Sequence, residues 1–443
     1  MTEATRDGVR SGAANKTRVQ GLAAACAGLV CAAVATASIA APAFSSEAAK
    51  AAYLQQHRLN VRALHPHYLS KPPHVNGALR RMANGAQPGT GLTIPFWTSQ
   101  ITSPLDGNTY TYSMVGSNPY SNPHNTNVSY VPVVLRIHVG GFVLDPTQVS
   151  HCDTQSPATR FFNSPLFVAN SFTSNGVNVS AVPGGTQLIS AFQRANYWNA
   201  VKGSHYGVTL VSALTKPIVV DWTPTNPSDT VLGVSDNCGG TVPIALVEIN
   251  ELDAELQAIA AAYAQPAQIP VTLVEDAAVY IGTTDQCCVL GYHNAISTIH
   301  GTQTYAVGAY YDTNNVFGPD FADITIWSHE LGELIDDPFV QSIAGAPGGY
   351  NNGVTPNWGY TGQDFGCQGD SQYPANLEDG DPLTPDQMGN FHNYPVVGVG
   401  GFVYHFQDLA FHDWFYRTAS TSAGGKGSFM GNFAGGGQPT ICQ

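Results

Sequence analysis

The sequence is short of positive charge, and the shortage is uneven along the chain. Only 17 of its 443 residues are Lys or Arg, against 31 Asp or Glu. No Lys or Arg lies between Lys216 and Arg417. A partner of the nucleic-acid class needs a basic binding face, so this composition argues against one. Carboxylates in that stretch have no local Lys or Arg to pair with, so they must be solvated, protonated or bound to cations.

Several fingerprints of catalysis are also missing. No Gly-x-Ser-x-Gly elbow surrounds a serine, which argues against serine hydrolase chemistry, and no phosphate-binding loop or dinucleotide fingerprint is present. Charged residues make up only 11% of the chain, whereas 43% of residues are hydrophobic, and there are 46 Gly and 29 Pro. This composition predicts a globular protein with a buried core and many short strands joined by turns.

Residues 1–43 have the pattern of an export signal peptide. Basic residues precede an apolar run over residues 21–40, and Ala41-Pro-Ala43 has the small residues of a signal-peptidase site. The alternative is an uncleaved membrane anchor, but the Ala-rich run is only weakly hydrophobic. We therefore predict a secreted protein, extracellular or periplasmic, with no stable membrane insertion after the signal is removed.

Six cysteines follow the predicted signal, and an even number in an exported chain favours disulfide bonds. Cys287 and Cys288 are adjacent, and the strain of a ring between neighbours predicts that they bond to different partners. Residues 44–92 are rich in basic residues and are predicted to be a propeptide or linker, with a short helix from about Ser46 to Leu59.

Strand and helix patterns alternate along the rest of the chain. Residues 130–139 are strand-like and are followed by a Gly140-Gly141 turn signal. Apolar residues at helical spacing predict helices over residues 186–198 and 250–264, and runs rich in Val, Tyr and Ile predict strands over residues 271–281 and 304–312. This order predicts an α+β fold in which a twisted mixed sheet covers an active-site helix.

The segment His329-Glu-Leu-Gly-Glu333 follows the last of these strands and is predicted to be helical. Residues i and i+4 of a helix are about 40° apart around its axis, so His329 and Glu333 point the same way. Imidazole nitrogen and carboxylate oxygen are both zinc ligands, so the pair can supply two ligands of a metal site. Glu330 is the candidate general base, because the Glu after the first ligand of a His-Glu-x-x-His helix activates water at the metal.

A third metal ligand is expected downstream of the helix. Glu378 is the first candidate and Asp381 the second, in Leu377-Glu-Asp-Gly-Asp381, whereas His392 and His405 rank below them. Zn²⁺ is the metal that this mixed nitrogen and oxygen set favours, and Ca²⁺ is the alternative that an acidic loop suits. A glutamate at the second ligand position makes the metal a weaker Lewis acid than two histidines do.

Three other residues have two interpretations each. His293 either has a role in the cleft, where it lines the site or assists an oxyanion, or is an ordinary loop histidine with its hydrogen bonds satisfied. Tyr310 and Tyr311 either flank a strand edge that binds an extended peptide by β-addition or serve as packing residues.

The segment from His329 to Pro338 resembles the His-Glu-Leu-Ala-Glu-x-x-x-x-Pro segment of secreted bacterial zincin-like proteins, which are related to the plant phosphate-induced (Exordium-like) family. Glu378-Asp-Gly-Asp381 and the segment from Tyr404 to His412 are similar to downstream elements of those proteins. The resemblance covers roughly residues 240–415. It implies a zincin-like fold for that region. Together with the strand patterns upstream, this predicts a β-rich N-terminal part over residues 93–230 and a zincin-like, metal-binding part over residues 231–443.

These patterns together predict a secreted metal-dependent hydrolase, peptidase-like, that acts on a peptide or protein. Its metal would be held by His329, Glu333 and Glu378, with Glu330 as general base. The alternative is a non-catalytic exported or surface binding protein on the same fold. Retention of Glu330 favours catalysis, since a purely structural metal site does not need it. A third reading, in which carboxylates alone hydrolyse the substrate in acid, predicts a pH optimum below about 4 and no sensitivity to chelators.

Overall fold

The computed structural model describes residues 44–58, 67–69, 92–102, 104, 107, 109–150, 152–180, 185–236, 238–311, 317–318, 321–339, 377–383, 392–416 and 418–434. The predicted export signal and most of the predicted linker lie outside these residues. No helix within them is both long and apolar enough to span a membrane. The short helix predicted near Ser46 is confirmed, because Ser46 caps a helix that begins at Glu47 and its side chain accepts a hydrogen bond from the Ala49 amide.

Strands outnumber helices along the described part of the chain. The helices are α1 (Glu47–Gln56), α2 (Pro157–Phe162), α3 (Leu188–Asn196), α4 (Trp198–Val201), α5 (Ile249–Tyr263), α6 (Thr325–Asp336) and α7 (His412–Tyr416). The strands are β1 (His67–Leu69), β2 (Phe96–Thr102), β3 (Thr109–Val115), β4 (Asn125–Val139), β5 (Phe142–Leu144), β6 (Thr173–Ser174), β7 (Val177–Asn178), β8 (Gly207–Ser212), β9 (Ile218–Trp222), β10 (Thr230–Ser235), β11 (Thr241–Glu248), β12 (Gln268–Glu275), β13 (Ala277–Ile281), β14 (Thr283–Thr298), β15 (Gly301–Tyr310), β16 (Asn393–Val397) and β17 (Val403–Gln407). Short 3-10 turns lie at Asp381–Leu383 and Ala423–Gly425.

One mixed sheet of 11 strands dominates the fold. Its main path runs β10-β11-β13-β14-β15-β12-β4-β5, while β1 pairs with β14, and β8 and β9 both pair with the long strand β4. Strand β12 is parallel to both of its neighbours, whereas β14 is antiparallel to β13 and β15. The two ends of the path approach each other, since a Cβ on Gly140 beside β5 would lie 3.6 Å from Val231 of β10. The sheet is therefore nearly closed into a barrel.

The predicted α+β, zincin-like fold with a sheet covering an active-site helix is therefore wrong. The protein is β-rich, and its mixed sheet curls until its ends almost meet. Much of the discrepancy comes from β14, a strand of 16 residues that the sequence did not predict. From Cys287 to Ala295 every side chain of β14 is buried, so this strand lacks the alternation of apolar and polar residues by which half-buried strands are recognised.

The two faces of the sheet pack against different helices. On β15, Tyr305 and Val307 belong to the core cluster that contains Leu252 and Leu256 of α5. Ala306, between them, points to the opposite face and belongs to the cluster that contains Trp327 and Leu331 of α6. Successive strand residues point to opposite faces, so one strand supports both helices.

Two disulfide bonds lie within the described residues, Cys152–Cys238 and Cys287–Cys288. The prediction that the adjacent cysteines bond to different partners is therefore wrong. Both of their side chains are buried where β14 pairs with its neighbours, and the other two described cysteines bond to each other. Cys367 and Cys442 lie outside the described residues.

Helix α6 lies very close to the sheet, because glycines occupy facing positions beneath it. Gly291 of β14 and Gly308 of β15 are directly opposite each other in the strand register. A Cβ on Gly291 would lie 2.8 Å from the Glu330 side chain, and a Cβ on Gly308 would lie 2.9 Å from the indole of Trp327. Both distances are shorter than van der Waals contact, so glycine is needed at both positions for the helix to occupy its place.

Gly308→Ala should therefore lower the free energy of unfolding by about 1–3 kcal/mol, the usual effect of overpacking a core. Urea denaturation of the variant and the wild type measures this difference. Gly203→Ala is the matched control, because a Cβ there meets no atom within 4 Å, and its effect should stay within about 0.5 kcal/mol. Equal stability of Gly308→Ala and wild type would contradict the close contact between α6 and β15.

Candidate metal centre

The motif residues lie on α6, which is buried along its whole length. Residues 377–383 pack against this helix and are hydrogen-bonded to Glu333. The backbone amides of Gly380 and Asp381 donate hydrogen bonds to Glu333 Oε1, with N to O distances of 3.2 and 3.3 Å. A Cβ on Gly380 would overlap the imidazole of His329, so only glycine lets the segment approach the ring.

Three side chains converge where this segment meets the helix. His329 Nε2 lies 2.9 Å from Glu333 Oε1 and 3.4 Å from Asp381 Oδ1. Their ligand atoms all lie within 4.8 Å of one another, a spacing at which they could hold one metal ion. Glu378 is adjacent, since its buried carboxyl group lies close enough to that of Glu333 to raise its pKa electrostatically. The structure thus places Asp381 with the two motif residues and places Glu378 beside them.

Gln407 of β17 fixes the tautomer of His329. Its amide nitrogen donates to the Gly380 carbonyl at 2.5 Å, and its amide oxygen lies 3.2 Å from His329 Nδ1. An amide oxygen can only accept, so this network assigns the imidazole hydrogen to Nδ1. In the neutral ring, Nε2 then presents its lone pair to Glu333 and Asp381. Metal-binding histidines are commonly held by an outer hydrogen bond of this kind.

The acidic side chains of this region are buried together. Six of them are at most 2% exposed, namely Glu330, Glu333, Asp336, Asp337, Glu378 and Asp379. Burial raises the pKa of Asp336 and Asp337 to about 7. Burial also raises the pKa of the other four well above its ordinary value, and neighbouring carboxylates raise it further. A group of this kind needs protons or cations to offset its charge at neutral pH.

Glu330 lies on the side of α6 that faces the sheet, next to His293 of β14. Neither carboxyl oxygen of Glu330 has a hydrogen-bond partner among the described residues, and the side chain is fully buried. Its Oε2 lies 3.6 Å from His293 Nδ1. His293 Nε2 lies 3.2 Å from the carbonyl oxygen of Asp337, which can only accept, so Nε2 carries the hydrogen. His293 Nδ1 therefore presents a lone pair to Glu330.

His293 is a buried residue of a central strand and lies at the site. Burial lowers its pKa to about 3, so its ring is neutral at ordinary pH. With Glu330 and Glu333 it forms a second group whose ligand atoms lie within 4.8 Å of one another. Of the two sequence interpretations of His293, this position supports the one in which it lines the site.

The lower-ranked ligand candidates are not part of these groups. His405 Nδ1 lies 2.7 Å from Asp323 Oδ2, just before the start of α6. Neither His392 nor His405 belongs to a group of described residues that could hold a metal. Sequence reasoning did not single out Gln407 or Gly380. Both lie within segments that carry the resemblance, Tyr404 to His412 and Glu378 to Asp381. The sequence therefore pointed to these segments but gave neither residue a role.

Comparisons of the chain with known protein families, with curated proteins and with solved structures found no match. The class of site is therefore defined by its own geometry, a buried arrangement of histidine and carboxylate ligands beside a glutamate that has no hydrogen-bond partner among the described residues. The resemblance to zincin-like and Exordium-like proteins stays a prediction.

Proposed function

We propose that this protein is an exported, metal-dependent hydrolase whose divalent cation is held by His329, Glu333 and Asp381, with Glu378 as an adjacent ligand. The observation that carries the proposal is the lone pair of His329 Nε2, which faces two carboxylate oxygens in a buried site. Lone pairs and carboxylates repel one another unless a cation or a proton lies between them. The substrate class, a peptide or protein, rests on the resemblance of the helix motif.

The donor set favours zinc over calcium. Zn²⁺ accepts imidazole nitrogen and carboxylate oxygen in one site of four ligands. Ca²⁺ takes six to eight oxygen ligands and does not favour imidazole. The nitrogen of His329 is therefore a poor ligand for calcium. When bound, a zinc ion supplies Lewis acidity, which lowers the pKa of water and polarises a carbonyl group.

Glu330 is suited to accept a proton from the attacking water. Its two carboxyl oxygens are not engaged by other described residues, and burial raises the pKa of the group, which makes the carboxylate a stronger base. A cation nearby would lower this pKa again and keep part of the population ionised at neutral pH.

The interpretation of Tyr310 and Tyr311 as a peptide-binding edge has little support. Strand β15 pairs with β12 as far as Tyr310 on one side and with β14 as far as Gly308 on the other, so most of its backbone is already paired within the sheet. Both tyrosines are buried in the core. Of the two interpretations of these tyrosines, the structure supports packing.

One observation favours the alternative of a binding protein without turnover. All residues of α6, including His329, Glu330 and Glu333, are buried. A metal enclosed in this way also suits a structural site, which stabilises an exported protein without contact with a substrate. Hydrolysis by carboxylates alone in acid has less support, because the raised pKa values would leave these groups protonated and without an ionised base below about pH 4.

The decisive experiment is to measure the metal content of the purified protein by elemental mass spectrometry and to assay casein digestion with and without a chelator. We expect at least one zinc ion per wild-type chain and digestion that the chelator stops. Glu333→Ala should lose the ion at His329, because Glu333 supplies a central ligand. Glu47→Ala, at an exposed position on α1, is the control and should behave as wild type. Metal without digestion would favour the binding protein, and a wild-type chain without metal would overturn the site.

A further inference from the structure

We propose a second, weaker cation site formed by His293, Glu330 and Glu333, whose occupation inhibits hydrolysis. The site rests on the geometry of three buried side chains, and only its inhibitory effect rests on the function proposed above. Because Glu330 would be a ligand of the second ion, it could no longer accept a proton.

Two of the three side chains offer ligand atoms that no other described residue engages by a hydrogen bond. The carboxyl oxygens of Glu330 and the Nδ1 atom of His293 are buried and lack hydrogen-bond partners among the described residues. Unsatisfied buried polar atoms of this kind are costly, so their occurrence calls for an unseen partner. Because His293 Nε2 carries the hydrogen, Nδ1 cannot donate one to Glu330. A cation between the two would satisfy both groups.

Glu333 belongs to both groups, so the two sites are coupled and should bind their cations in a definite order. The first group has His329, Glu333 and Asp381, with Glu378 beside them, whereas the second has only two carboxylates. The first ion should therefore enter the group with more negative charge. A second ion would share Glu333 with it and would be repelled by its charge. We expect binding at the second site to be weaker by about 5- to 150-fold, the usual range for coupled sites.

The expected consequence is a rise and fall of activity with zinc concentration. The first equivalent of zinc should activate hydrolysis, and a further excess should suppress it, because Glu330 passes from general base to metal ligand. In a variant that lacks the second site, the first equivalent of zinc should still activate hydrolysis, but excess zinc should no longer inhibit it.

The test uses the full-length chain, freed of metal with a chelator and titrated with Zn²⁺ alone by isothermal titration calorimetry. Wild type should show two binding steps per chain. His293→Gln should show one step, with a dissociation constant within about 2-fold of the first wild-type step, since its amide can still donate to the Asp337 carbonyl. His412→Gln is the matched control, because His412 is also a buried histidine whose pKa burial lowers to about 3. It should keep both steps.

Native mass spectrometry of wild type with increasing zinc gives a second count of ions, which does not depend on the folding of any variant. A wild-type chain that saturates with one ion would overturn the second site, and so would a two-step titration of folded His293→Gln. One ion together with casein digestion would leave the proposed hydrolase standing. Two ions without digestion at any zinc concentration would retain the second site and overturn the hydrolase.

Discussion

Replacing Glu330 with glutamine should lower kcat for casein hydrolysis by about 10²- to 10⁴-fold, the usual contribution of a general base. Glutamine has nearly the same shape as glutamate but cannot accept the proton of the attacking water. A zinc ion held by His329, Glu333 and Asp381, as proposed, should stay bound, since Glu330 belongs to the other group of candidate ligands. Steady-state kinetics and elemental analysis of the same preparation measure both effects.

Glu333→Gln is the comparison that separates the two roles. It makes the same chemical change three residues along the helix, at a side chain that lies 2.9 Å from His329 Nε2, and it should lose zinc as well as turnover. If Glu330→Gln digested casein at the wild-type rate with its zinc in place, Glu330 would not be the base.

The metal-free protein should become less stable as the pH rises from about 4 to 7. Asp336 and Asp337 are buried, and burial raises their pKa to about 7 in the folded protein, whereas an unfolded aspartate ionises near pH 4. Below about pH 4 both states are protonated, so burial of these groups carries no ionisation penalty. Between these values the folded protein holds more protons than the unfolded chain, so the free energy of unfolding falls as the pH increases.

The fall should amount to several kcal/mol, because each unit of pKa difference corresponds to about 1.4 kcal/mol. Urea denaturation of the metal-free protein at a series of pH values measures it. Zinc added at pH 7 should restore stability, since an ion that binds only the folded state shifts the equilibrium toward it. Stability of the metal-free protein that increases from pH 4 to pH 7 would contradict the buried acidic cluster.

Local signals in the sequence predicted the local structure well. The Gly140-Gly141 turn joins β4 to β5, and both glycines have positive φ, as a tight turn between strands requires. Helix α5 extends from Ile249 to Tyr263, within a residue of the predicted bounds. Its apolar residues recur at helical spacing, and this information is contained in the segment itself.

The course of the sheet could not be predicted in the same way. The predicted strand over residues 271–281 is two strands, broken at Asp276, which has a φ of 43°. Strand β12 then pairs with β4 and β15, whereas β13 pairs with β11 and β14, so the break sends the chain to another part of the sheet. Such pairings join residues far apart in sequence, and no local pattern specifies them.

The site was predictable to the extent that it lies on one helix. The spacing of His329 and Glu333 predicts two ligands on one side of α6, and the structure brings their side chains to 2.9 Å. Which loop carboxylate joins them depends on how residues 377–383 approach the helix. That approach is set by the hydrogen bonds from Gly380 and Asp381 to Glu333, and the sequence contains no measure of such contacts.

The hydrogen bonds of Gln407 connect the hairpin of β16 and β17 to the candidate metal centre. Gln407 ends β17, its backbone amide donates to Ser328 of α6, and its side chain bridges Gly380 and His329. Val397, Val399 and Val403 of the same hairpin are exposed to solvent. A molecule that binds this hairpin and displaces β17 would remove the amide oxygen that faces His329 Nδ1. The visible spectrum of the cobalt-substituted protein would then change when a molecule binds to the hairpin at the surface.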